Sequence, residues 1–181
     1  MVGMLSFLKH AEQLKNTMRQ CWTSEGKQES VAEHTWRLCL MVMLFEKEFP
    51  SGVDTNKLMK MCLIHDLAEL IDGDIPATVI DLNKAAKERK NLLILLKPLS
   101  EEMQKEFVDL FDEYEAATTV ESKLSKALDK LETLMQHNTG INPVDFDYSF
   151  NLTYGKKYTD NFSFSQEIRK IVDVETNKNI K

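Results

Sequence analysis

Cysteine is scarce in this chain: Cys21, Cys39 and Cys62 are odd in number and form no CxxC pair. No disulfide framework can be read from them, and reduced intracellular thiols are expected. Glycine and proline are also few, six and four in 181 residues, and no long alternation of β-branched and aromatic residues marks a strand. With Leu, Met, Ala, Lys and Glu abundant, these shortages predict an all-α chain. Basic residues are outnumbered, 23 Lys and Arg against 29 Asp and Glu, for a net charge of −6. Such a balance argues against nonspecific nucleic-acid binding, which a basic patch normally serves, while a small phosphate compound remains compatible because local cations set the field inside a cleft. Long apolar runs are missing as well. Lys9, His10, Glu12 and Lys15 interrupt the first segment, so neither a signal peptide nor a membrane span is predicted, and a cytoplasmic location is expected.

What is present is a length and an apolar content of 43% that suit one globular domain able to bury a core. Residues 4–17 carry Leu5, Leu8, Ala11 and Leu14 at helical spacing, followed by a polar loop around Gly26. Ser30-Val31-Ala32-Glu33 reads as a capping box that opens a helix to about Glu48. Asp54 caps the next, from about Thr55 to Ile71, before Gly73 and Pro76 stop it. Further helices are predicted over Asn83–Leu96, from Ser100 to about Ala117, from a second capping box at Thr118–Glu121 to about Asn138, and from Ser165 to Thr176 with Ile168, Ile171 and Val172 inward. The count is six or seven helices in one bundle, with a core over about 28–138 and a loop and helix over about 139–181. Met41, Met43, Met59 and Met61 read as adaptable core packing.

Chemistry enters where polar groups interrupt apolar helices. His65 and Asp66 stand inside the run from Leu58 to Leu70, His34 within Val31–Phe45, and Asp129 between Leu124 and Met135. Burying an imidazole beside a carboxylate is costly unless each is paired or bound to a cation. Glu69 follows His65 by one helical turn, so His65, Asp66 and Glu69 can line one cavity. Imidazole and carboxylate donors without cysteine fit an open site for a divalent ion, leaving room for water and a substrate oxygen.

The order His34, His65-Asp66, Asp129 resembles the H…HD…D signature of the HD-domain metal-dependent phosphohydrolases, an all-helical superfamily. The blocks Glu29–His34, His65–Glu69 with Gly73-Asp74-Ile75-Pro76, and Lys126–Lys130 each resemble those of its 5'-deoxynucleotidase-like branch, over roughly residues 5–138. The resemblance implies a metal held by His34, His65, Asp66 and Asp129, with Mn, Co, Ni, Fe, Zn or Mg as the divalent ion. It implies hydrolysis of deoxynucleoside 5'-monophosphates, usually by a homodimer. By the same resemblance Glu69 and Asp74 assist catalysis, with Asp74 on the water, and Arg19 holds the substrate phosphate. Trp22, in the neighbouring aromatic position, becomes a contact for sugar or base.

Rival readings have specific marks against them. Relatives that hydrolyse guanosine tetraphosphate carry Glu-Asp where this chain has Glu69-Leu70, and four histidines are too few for a second metal of the cyclic-nucleotide type. A noncatalytic helical module would not need Glu69 and Asp74. Glu33 reads as the capping-box acid, and Glu132 and His137 as structural residues.

Overall fold

The structure is a computed structural model and describes residues 1–76, 79 and 82–180. Seven helices of ten residues or more are found among the described residues: α1 (Val2–Ala11), α2 (Val31–Phe45), α3 (Thr55–Ile64), α5 (Lys84–Leu95), α6 (Glu101–Ala116), α7 (Val120–Thr139) and α9 (Ser163–Asn179). Two four-residue helices, α4 (Glu69–Asp72) and α8 (Lys156–Thr159), and three 3₁₀ turns complete the helical set. The helical bundle is as the composition predicts.

Helix starts follow the expected caps. The Ser30 hydroxyl accepts from the Glu33 amide while Glu33 Oε2 accepts from the Ser30 amide at 2.8 Å, closing the capping box that fixes the first turn of α2. Asp54 accepts from the Lys57 amide at 2.9 Å and opens α3. The box of α7 lies one residue later than predicted, with Thr119 as cap and Ser122 in place of an acid. Glu121 instead accepts from the Asp54 amide at 3.0 Å, tying the start of α7 to that of α3.

α7 is the organising element. Fourteen of its twenty residues are buried, and it packs against α2, α3, α6, α8 and α9. A helix covered on nearly every side has no solvent face on which to place a charge cheaply, so each ionisable group it buries has a partner to find. One apolar cluster, with Met61, Leu92, Leu96 and Phe111, joins α3, α5 and α6; a second, with Leu38, Leu58, Leu124, Leu128 and Phe164, joins α2, α3, α7 and α9.

Four expectations are corrected. The polar segment after α1 is a small antiparallel hairpin, β1 (Met18–Trp22) with β2 (Gln28–Ser30), not an open loop. The helix predicted over 55–71 stops at Ile64. Leu67, Glu69 and Ile71 then donate to carbonyls three residues back, and the chain resumes as α4. Met43 and Ile171 are 65% and 63% exposed, so neither belongs to the core. The last helix runs on to Asn179, where its amphipathic spacing outlasts the apolar residues first counted.

Candidate active site

The tightened stretch after α3 is the local device that builds the site. In a 3₁₀ turn residues i and i+3 eclipse, so Asp66 and Glu69, which an α-helix would offset by about 60°, are brought into line on one face. Gly73 then turns the chain with φ of +85°, a conformation that favours glycine, and directs Asp74 toward the same cleft. That cleft, of about 610 Å³, is lined by Arg19, Trp22, His65, Asp66, Glu69, Asp74 and Asp129 among others.

At its floor four donor atoms converge from three elements. His65 Nε2 is 3.0 Å from Asp66 Oδ2 and 3.4 Å from His34 Nε2. His34 Nε2 is 3.4 Å from Asp129 Oδ1 and 3.7 Å from Asp66 Oδ2, and His65 Nε2 lies 3.9 Å from Asp129 Oδ1. Donors ~2.1 Å from a common cation stand ~3.0 Å apart at right angles and ~3.4 Å apart at tetrahedral angles. Three of the five separations fall on that frame, and the His34–Asp66 and His65–Asp129 pairs, at 3.7 and 3.9 Å, stand a few tenths of an ångström wider.

The outer atoms of His34, His65 and Asp129 are occupied. His65 Nδ1 donates to the Cys62 carbonyl at 2.8 Å, and His34 Nδ1 is hydrogen-bonded to Glu132 Oε2. Each ring therefore turns Nε2 toward the centre. Asp129 is divided in the same way: Oδ1 faces the histidines, while Oδ2 accepts from Lys130 Nζ at 2.7 Å and from the Tyr114 hydroxyl at 3.3 Å. Glu132 is in turn held by Arg37 Nε at 2.7 Å.

Electrostatics say what the cluster lacks. Burial and the Arg19 charge push the His34 imidazole down, but Glu132 and Asp129 outweigh them and raise it to about 10. Burial also opposes the Asp66 carboxylate, yet His65 and His34 hold its pKa well below the usual range. The centre demands positive charge, supplied by a proton on His34 or by a divalent cation. Around it the carboxyls are pushed upward: Glu69 by burial, then by Asp66 and Asp74, to about 10, and Asp74 by burial and Asp66. Glu69 is 2% exposed, and its Oε2 finds no partner among the described residues, while Oε1 lies 3.3 Å from Lys84 Nζ. A buried carboxyl oxygen left without a hydrogen bond is costly and marks a place where a ligand or water belongs.

Arg19 lies on β1, whose alternation turns Arg19 and Cys21 inward. It bonds Glu29 Oε2 at 2.6 Å and Thr133 Oγ1 at 3.0 Å, two of the five donors a guanidinium carries. Thr133 is one turn beyond Asp129, so Arg19 is fixed beside the four-atom centre. The predicted residues are thus brought together: His34, His65, Asp66 and Asp129 at the floor, with Glu69, Asp74, Arg19 and Trp22 in the walls. Glu132 is the residue that sequence reading misjudged. Its spacing from Asp129 put it one turn away, but only the fold sets it behind His34.

A family model described as HD domain matches residues 11–169. The 5'-deoxynucleotidase HDDC2 of Danio rerio is 36% identical over 141 residues, covering 75% of this chain and 68% of its own. That of Mus musculus is 30% identical over 185 aligned positions, covering 98% and 89%. A crystal structure from Magnetospirillum magnetotacticum MS-1, described as a predicted metal-dependent phosphohydrolase, shares the fold with a TM-score of 0.81 at 24% identity, over 98% of this chain and 91% of that one. With the HD-domain model spanning most of its length and such relatives aligned along it, the chain belongs to the HD-domain family.

Proposed function

We propose that the protein is a metal-dependent 5'-deoxynucleotidase that hydrolyses deoxynucleoside 5'-monophosphates to nucleoside and phosphate. The observation that carries this reading is the convergence of His34 Nε2, His65 Nε2, Asp66 Oδ2 and Asp129 Oδ1 at the floor of a cleft walled by Arg19 and two carboxyls of raised pKa. The names of the curated relatives agree with it. The four atoms would hold the divalent ion. What a bound ion supplies is a lowered pKa for water and positive charge against the phosphoryl oxygens.

The remaining steps belong to the chain. Arg19 forks onto phosphate oxygens, its plane preset by Glu29 and Thr133. Asp74 takes and orients the proton of the attacking water. Glu69, held protonated by burial and by its acidic neighbours, gives a proton to the departing 5'-oxygen. Glu132 and Lys130 position His34 and Asp129. Glu132→Gln is therefore expected to weaken Mn²⁺ affinity by about 10–100-fold, read by titration of metal-stripped protein.

The reading includes one HD domain acting as a homodimer in the cytoplasm on free nucleotide, not on nucleic acid or membrane. The net charge of −6 supports the first exclusion, and among the described residues no helix is long and apolar enough to cross a membrane. Light scattering of the purified protein tests the dimer. The activity is tested by stripping metal, restoring Mn²⁺, Co²⁺ or Mg²⁺, and measuring phosphate release from paired ribose and deoxyribose monophosphates. Metal-dependent release, greater from the deoxyribose member, is expected; no release with any metal would sink the proposal.

A further inference from the structure

The cleft extends well past the four-atom centre, and its far part differs in chemistry from its floor. α7 serves as a ruler along it: Asp129, Thr133 and His137 all line the cleft, one turn apart, so His137 lies ~12 Å from Asp129 along the helix. At that end the walls turn aromatic. Phe146 meets His137 edge-on with ring centres 4.8 Å apart. The Trp22 carbonyl accepts from Gln136 Nε2, which anchors the Trp22 backbone to the same end of α7. Phe150 stacks on Tyr154 at 4.9 Å, and Tyr154 in turn lies 5.3 Å from Lys130 Nζ, so the aromatic wall runs back toward Asp129.

This wall is held in place from behind. His137 Nδ1 is 2.8 Å from Asn151 Oδ1, and Arg169 donates to the carbonyls of Asn151 and Tyr154 at 2.6 and 2.7 Å. Gly155, at φ of +73°, lets the chain pass where any Cβ would stand 2.6 Å from the Lys130 side chain. Trp22, Phe146 and Phe150 are only half-buried and border the cleft, leaving ring surface free within it. Half-buried rings held along a cleft in this way offer surface for stacking a planar heterocycle at little entropic cost.

A nucleotide whose phosphate lies beside Arg19 and Asp129 must carry its base onward past the sugar. We infer that Trp22, Phe146 and Phe150 form the wall on which that base stacks, so that the segment over 143–154 is part of the substrate site. The inference rests on the phosphohydrolase reading and deepens it, assigning base binding to a segment outside the blocks that hold the metal ligands.

The test compares deoxyadenosine 5'-monophosphate with 2-deoxyribose 5-phosphate, which has no base, for the unmodified protein and for Phe146→Ala, Phe150→Ala and the bulk-preserving Phe146→Leu. The readout is the ratio of kcat/KM for the two substrates, from which any loss of folded protein cancels. The ratio should favour the nucleotide in the unmodified protein and fall about tenfold in each alanine variant, with Phe146→Leu falling less. A ratio unchanged in both alanine variants overturns the stacking wall. Phosphate release from neither substrate by the unmodified protein would instead overturn the phosphohydrolase reading beneath it.

Discussion

Asp66→Ala is expected to lower kcat/KM for a deoxynucleoside monophosphate by about a thousandfold or more, because metal catalysis contributes several kcal/mol and each ~1.4 kcal/mol is a factor of ten. Asp66 faces the cleft with a fifth of its side chain exposed, pairs with His65 and His34, and belongs to neither apolar cluster. Removing it leaves the apolar packing of α3 and α7 in place. The expected pattern is therefore loss of activity and of Mn²⁺ binding with cooperative thermal unfolding retained. Activity within tenfold of the unmodified protein would show that the four-atom centre is not where the chemistry occurs.

Glu69→Gln should show the opposite pairing of activity and stability. Loss of a positioned acid is expected to cost about 10²–10⁴-fold in kcat. The stability effect has a definite sign. Burial, Asp66 and Asp74 raise the Glu69 pKa from an ordinary 4.5 to about 10, so the folded protein binds a proton that the unfolded chain releases above pH 4.5. Stability is consequently lost as pH rises between those values. Glutamine stays neutral and keeps the shape. Metal-stripped Glu69→Gln should accordingly melt at a higher temperature than the unmodified protein between pH 6 and 9, with the gap widening as pH rises. A variant both active and no more stable would remove Glu69 from the account.

The bundle and the polar residues that meet at the four-atom centre were legible in the sequence for one physical reason. His34, His65, Asp66 and Asp129 are polar groups at positions where apolar periodicity demands burial, and such conflicts concentrate at functional sites. Capped starts were equally readable at Ser30 and Asp54, since a cap acts over three residues. What stayed hidden depends on contacts distant in sequence. The hairpin places Arg19 and Glu29 inward, so its alternation presents charge where a strand pattern would show Val or Ile. Their 2.6 Å pairing is visible only once the two strands meet. The break after Ile64 has no proline or glycine to announce it, because it is imposed by i→i+3 bonds at Leu67, Glu69 and Ile71. Glu132 sits behind His34 across 98 residues of sequence, a relation no local pattern carries.

The central claim is that one divalent cation is shared by His34, His65, Asp66 and Asp129. Anomalous diffraction from crystals grown with Mn²⁺ tests it most directly. The account predicts a single strong peak ~2.1–2.3 Å from His34 Nε2, His65 Nε2, Asp66 Oδ2 and Asp129 Oδ1. A peak elsewhere in the cleft, or full phosphatase activity in crystals with no peak at that point, would contradict it.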